Sequence, residues 1–454
     1  MFIGRQKELA MLERMYDTNE LQCVCVNGSD GMGKTALLQE FAGRRRRACY
    51  CVRASTSNAN KAAFYTELLA QGAVECSSGR WQELLESLCN KALGQKLIFI
   101  IDDVQELEKS FAELLPALVA VLQPLRDKLR LLVLFAGRDT AYVQQLLLKN
   151  GLVCQELHIK PLTYEETLPC LVPFSNEEKL LLYGVMGGIP QYLQYIDMEQ
   201  SFRDNLYKLF FAPTAILLHE GERLLASRFR QPHIYHAILC SVACGAVHMR
   251  DIAEAVGMPD NKTSKYVSVL QHFGLLQKIT PADADKAKQS KNTCYMLTNQ
   301  MLVFWYRFVY PYLSSITMGV GSLVLRTKVL PALEDYGRQL FLHICSQHCL
   351  LLRSRGNFGF NFTSIGFIWP KDECTPEALR LLAHDKLNVC FMQCVWNKTK
   401  VDMDLLKQLQ QQYQDAQRRK TFYVIFARKG FTDRALGYAA KISNLRLISL
   451  FYLK

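Results

Sequence analysis

The sequence predicts an α/β protein: a parallel sheet covered by helices, then a helical segment, a helix–turn–helix with a β wing, and a mixed α/β C-terminal region. Three observations carry this. Residues 1–165 alternate short apolar strands with amphipathic helices, the pattern of a parallel sheet with helices on both faces. One of those strands runs into a glycine-rich loop and straight on into a helix. Beyond residue 300 the pattern returns to mixed helix and strand after an almost purely helical stretch.

The chain has 454 residues, enough for two to four domains at about 150 residues each. Half of them are hydrophobic and 21% are charged, which suits a folded chain rather than a disordered one. The net charge of +12 is compatible with a polyanion partner and equally with ordinary basic surface. None of the sixteen cysteines forms a CxxC pair, and several sit in apolar runs, so they are expected to be reduced core residues. The N-terminal MFIGRQKELAML lacks the basic start and apolar stretch of a secretory signal. No apolar run is expected to reach the ~18 residues of a membrane span, since Leu302–Leu313 is interrupted by Arg307 and Pro311. The expectation is a soluble, cytoplasmic protein with no membrane partner.

Taken in order, the strands are expected at Gln22–Asn27, Ala48–Arg53, Leu97–Asp102, Leu131–Ala136 and Glu156–Ile159. Residues 166–225 read as helices, with Ser175 and Glu178 forming a capping box at a helix entered at Asn176. Residues 226–300 read as a compact helical unit ending in a hairpin, and 301–454 as a mixed domain.

The first strand feeds GSDGMGKT, and ALLQEFAG follows as a helix. Gly28, Ser29, Asp30, Gly31, Met32, Gly33, Lys34 and Thr35 thus satisfy GxxxxGK[ST] in the strand–loop–helix setting it requires. Glycines permit positive φ, so backbone N–H groups can wrap phosphates at a helix N-terminus. Lys34 would reach the β- and γ-phosphates of ATP, and Thr35 would hold Mg²⁺. The strand LIFIIDD ends in two acids: Asp102 belongs beside the magnesium, and Asp103 can orient the attacking water. Asp103 is one methylene shorter than a glutamate, so slow hydrolysis is expected. Arg138, in FAGRD, is a candidate sensor of the γ-phosphate or a plain surface arginine. The run Arg44–Arg47 ends a helix, where cations offset the dipole.

FIGRQKEL before the loop, GMGKTALL, IIDDVQEL, FAGRD and GGIPQYL together resemble the archaeal-type AAA+ ATPase family, among the signal-transduction ATPases with several domains. The resemblance covers most of the chain. It implies an ATPase core at 1–165, a helical lid at 166–225, a winged helix at 226–300 and a nuclease-like domain at 301–454. It also implies that Gly4 and Arg5 close over the base, and that Gly188, Ile189 and Pro190 bring the lid to the nucleotide. Where relatives carry an LYGR-like arginine this chain reads LLLKNGLV, so no trans-acting arginine is supplied there.

Two short helices around Pro259–Asp260, the second opening with Lys262, Thr263, Ser264, Lys265 and Tyr266, suit a recognition helix. Lys286, Lys288 and Lys291 would tip the wing, making duplex DNA a candidate partner beside ATP/ADP. A packing module is the competing reading. The aromatic run Phe304, Trp305, Tyr306, Phe308 and Tyr310 reads as a buried helix rather than a base-stacking platform.

Residues 301–454 resemble a restriction-type nuclease domain whose metal-binding residues are replaced. Where relatives have Glu-x-Lys this chain has Gln393 and Val395; Leu379 stands for the metal-binding Asp and Leu342 for the helix Glu. A nucleotide-driven switch with an inactive nuclease-like domain is therefore expected. The alternatives are a DNA-binding regulator whose ATP turnover is unimportant, and a metal-dependent nuclease using other acids such as Glu373 or Asp385. An unknown protein partner and an oligomer are compatible with all three.

Overall fold

Five apolar segments become five parallel strands: β1 (Gln22–Asn27), β2 (Cys49–Arg53), β3 (Leu97–Asp102), β4 (Leu131–Gly137) and β5 (Gln155–His158). The computed structural model describes residues 2–18, 20–43, 49–53, 66–68, 70–71, 80–138, 140–226, 229, 231–282, 293–369, 379–412 and 419–449. Two compact units result, one of 1–162 with 189–194, the other of 163–188 with 195–454.

In the first unit the strand order is β2-β3-β4-β1-β5, parallel throughout. β3 and β4 are buried along their whole length, which is why they read as continuous apolar runs rather than alternating ones. Helices Trp81–Gly94 and Leu114–Leu125 bury Leu84, Leu88, Leu115 and Leu118 against one face. Because β1 lies between β4 and β5 while the chain proceeds from β1 to β2 at the far edge, a crevice opens at the carboxyl end of β1. Ligands of open α/β sheets bind at such a switch point. β5 begins one residue earlier than expected, and the Ile159 N–H bonds the Asn27 carbonyl at 2.6 Å just past its end.

The second unit begins with helices. Ser175 caps Asn176–Met186 with the expected capping box. Helices Pro232–Ala243, Met249–Ala255 and Asp260–His272 precede an antiparallel hairpin, β6 (Leu276–Ile279) with β7 (Cys294–Leu297). The helix Gln300–Phe308 is a core element: the Trp305 indole donates to the Leu218 carbonyl at 2.9 Å, and a Cβ on Gly221 would lie 2.4 Å from the Trp305 ring.

A second sheet follows, β8 (Ser364–Ile368), β9 (Arg380–His384), β10 (Asn388–Val395), β11 (Lys420–Ala427) and β12 (Leu445–Ile448), ordered β12-β11-β10-β9-β8. β10, β11 and β12 are parallel; β8 and β9 are antiparallel to their neighbours. Arg428, just past β11, is buried over the Trp396 ring and pairs with Glu177 at 2.8 Å and Glu334 at 2.6 Å.

Two expectations are corrected. The helical stretch Gln300–Ser354 does meet the length and composition of a membrane span. It is broken by a non-helical Gly319 and by turns at Pro311 and Pro331, and Met301, Leu302, Phe304 and Trp305 are buried within the protein. Thirteen described cysteines are free, but Cys294 is disulfide-bonded, so the cysteines are not uniformly reduced.

Candidate nucleotide-binding site

The glycine-rich loop closes at the end of β1 because its glycines supply what other residues cannot. Gly31 and Gly33 have φ of +78° and +80°, where a side chain costs about 1–2 kcal/mol. Gly28 is needed for space: a Cβ there would sit 2.7 Å from the Ile159 carbonyl oxygen. The loop delivers Lys34 and Thr35 as the first residues of the helix Lys34–Gly43, whose free N–H groups face the same crevice.

Lys34 is 8% exposed, and its ammonium donates to the Gly28 carbonyl at 2.7 Å and the Ser29 carbonyl at 3.0 Å. Burial pushes its pKa down, while Asp30, Asp102 and Asp103 push it up. The Thr35 hydroxyl donates to Asp102 Oδ2 at 2.7 Å, and Asp102 Oδ1 accepts the Asp103 N–H at 2.9 Å. A hydroxyl beside a carboxylate is the all-oxygen donor set that Mg²⁺ takes, with waters and phosphates filling its other positions.

Asp103 adopts left-handed φ of +57°, rare outside glycine, as β3 turns into the short helix Val104–Glu106. The turn brings Gln105 back onto it: Gln105 Nε2 donates to Asp103 Oδ1 at 3.1 Å, and Gln105 Oε1 accepts the Arg138 N–H at 3.2 Å. Arg138, at the end of β4, places Nε 3.4 Å from both Asp103 Oδ1 and Asp30 Oδ1.

Three further groups meet the loop. Gly4 and Arg5 both have positive φ, and the buried Arg5 guanidinium donates to the Met32 carbonyl at 3.0 Å while pairing with Glu8. Pro190 lies 3.7 Å from a Cβ position on Gly33, and the Gln191 N–H bonds the Gly31 carbonyl at 3.2 Å. The chain thus brings together, around one loop, residues from its N-terminus, β3, β4 and the GGIP turn.

Comparison with known proteins agrees with this geometry. Residues 18–142 match the model of an AAA domain, and residues 305–407 match a family described as archaea bacterial proteins of unknown function. Residues 18–142 thus carry an AAA domain. An uncharacterized protein of Methanocaldococcus jannaschii is 24% identical over 416 residues, 90% of each chain. A Walker-type ATPase of Pyrococcus abyssi is similar at 16% identity over 67% of this chain and 96% of its own, with a TM-score of 0.47. The Cdc6 protein of Pyrobaculum aerophilum is 12% identical over 71% of this chain and 95% of its own, with a TM-score of 0.36.

Sequence reasoning missed Gln105 and Gln191. Gln105 stood in the quoted IIDDVQEL, two residues past Asp103, but an exposed-looking glutamine after a strand carries no signal of its own. The Arg44–Arg47 run lies outside the described residues, as do the wing-tip lysines and Glu373.

The residues singled out in the second unit are arranged differently. Lys262 and Lys265 are exposed on the helix Asp260–His272, but Thr263 is buried with its hydroxyl on the Pro259 carbonyl, and Ser264 bonds the Asn261 carbonyl. Asp260 and Asn261 are exposed beside the two lysines, and Ser264 and Tyr266 are half-buried. Leu342, Leu379 and Val395 are buried, and the neighbouring Cys349 thiol lies 3.4 Å from the Met392 sulfur. Asp385 is held in a turn: the Asn388 side-chain amide and the Leu387 and Asn388 N–H groups all donate to it, and these bonds keep its pKa low. Among the described residues no three of His, Cys, Asp and Glu gather as a metal-ligand set.

Proposed function

We propose that this chain is an ATP-driven switch of the cytoplasm that binds Mg·ATP at Gly28–Thr35 and hydrolyses it slowly. The observation that carries the reading is the convergence of Lys34, Thr35, Asp102, Asp103 and Arg138 on one glycine loop. Lys34 would exchange its two carbonyl acceptors for phosphate oxygens. Arg138 would leave Asp103 and Asp30 for the γ-phosphate. Gly4, Arg5 and Pro190 would close around the base. Magnesium, when bound beside Thr35 and Asp102, neutralises charge on the β- and γ-phosphates.

In the hydrolytic step a water oxygen forms a bond to the γ-phosphorus as the bond to the bridging oxygen breaks. ADP leaves with that electron pair, and the water proton passes to Asp103. The short Asp103 side chain makes this slow. The lid segment Ile189–Pro190 on the loop gives nucleotide state a route to the rest of the chain through the adjoining Gly187–Gly188, both at positive φ.

The buried leucines and valine at the expected metal positions support an inactive nuclease-like C-terminal domain. Three helices followed by a hairpin support a winged helix at 226–300, and exposed Lys262 and Lys265 favour duplex DNA contact as a second reading.

The test is ATP binding and turnover for wild type and Lys34→Ala, with and without duplex DNA. Wild-type turnover that Lys34→Ala removes supports the ATPase, and DNA-altered turnover supports the coupling. No nucleotide binding by wild type overturns the proposal. Magnesium-dependent DNA degradation that survives Lys34→Ala overturns the inactive-nuclease reading.

A further inference from the structure

We infer that Gln105 is the positioning residue for the acid that receives the water proton. This rests on the ATPase reading above and adds a residue to it.

The geometry uses both ends of one side-chain amide. Its nitrogen donates to Asp103 Oδ1 at 3.1 Å, and its oxygen accepts the Arg138 backbone N–H at 3.2 Å. One planar group therefore ties the acid at the end of β3 to the backbone at the end of β4. The surroundings are cut to admit it: a Cβ on Gly137 would lie 3.2 Å from Gln105 Oε1 and 2.5 Å from Val143 Cγ2. Asp103 reaches the amide only because its own backbone turns into the left-handed region. Such strain persists where the surroundings over-determine it.

Arg138 also holds Asp103, at a longer 3.4 Å and through an exposed side chain that is shared with Asp30. When Arg138 turns to the γ-phosphate, Asp103 loses that cation. The Gln105 amide stays, because it is anchored to the Arg138 backbone and not to its side chain. It then sets the direction of the carboxylate.

The amide does both jobs, donating through its nitrogen and accepting through its oxygen. A carboxylate of the same length keeps the acceptor for the Arg138 N–H, loses the donor, and sets a negative charge against Asp103. That contrast makes Gln105→Glu the deciding variant, with Gln105→Ala beside it. Full-length wild type and both variants would be assayed for kcat and KM of steady-state ATP turnover, and for binding of a fluorescent ATP analogue.

The expected result is analogue affinity within about 2-fold of wild type and KM nearly unchanged. kcat falls ~10-fold in Gln105→Ala and further in Gln105→Glu, less than the roughly 10²–10⁴-fold that a general base itself contributes. If Gln105→Glu keeps wild-type kcat, the inference is overturned and the amide is only a tie for the sensor strand. Should wild type bind the analogue without turning over ATP, the reaction itself is absent and the inference falls with it. The two failures are read separately in the same assay.

Discussion

The carboxyl ends of the two five-stranded sheets receive very different side chains. β3 delivers Asp102 and Asp103 to a crevice that also holds Lys34 and Thr35, and all four belong to one hydrogen-bonded network with the loop and Arg138. β10 delivers buried Val395 and Trp396, whose ring meets Phe341 and Arg428. Burying charge is unfavourable unless it is paired and hydrogen-bonded, so a charged crevice is retained where the charges have a use. Apolar side chains fill the second sheet without that penalty. The difference teaches that a five-stranded sheet can end in a charged crevice or in core, according to the side chains it presents.

Placing an acid in the second sheet gives the largest expected effect. Leu379→Asp buries a carboxylate among apolar neighbours and should destabilise the chain by about 4 kcal/mol. Denaturant unfolding measures it; an unchanged midpoint would mean that the position still accepts an anion and that the contrast between the sheets is false.

Removing a charge from the first sheet comes next. Lys34→Ala should weaken ATP binding ~100-fold, close to 3 kcal/mol, because charge-assisted bonds to phosphate are lost. Calorimetric titration reads this, and the secondary-structure content should stay that of wild type.

Backbone strain in the loop is smaller. Gly33→Ala adds a Cβ at φ of +80° with Pro190 already in van der Waals contact, so about 1–2 kcal/mol of stability or ATP affinity should be lost. Equal melting temperature and ATP affinity to wild type would remove the argument from loop geometry.

The smallest effect is a pH slope. The Lys34 pKa is lowered in the folded protein from 10.5. Between the lowered value and 10.5 the unfolded chain holds a proton that the folded chain has lost, so stability rises with pH across that window. Lys34→Met should lack this rise. Parallel slopes for the two proteins, followed by thermal melts in alkaline buffers, would show that burial does not disfavour the ammonium.

Much of this was legible in the residues alone. Apolar runs of strand length, a glycine loop between strand and helix, and acids at a strand end are local patterns, so the five strands of the first sheet, the loop Gly28–Thr35 and Asp102 could be read directly. The capping box at Ser175 and Glu178 is equally local. A disulfide at Cys294 and the broken helical stretch after Gln300 were not, because each depends on where distant segments come to rest.

Sequence by itself determined the glycine loop, the strand periodicity and the apolar residues at Leu342, Leu379 and Val395. Tertiary structure alone decided that Pro190 and Gln191 return to Gly31 and Gly33, that Arg5 reaches the Met32 carbonyl, and that Gln105 joins Asp103 to the Arg138 backbone. The physical reason is range. Hydrophobic period and glycine conformation act over a few residues, whereas a hydrogen bond between strand ends exists only after the sheet has chosen its order.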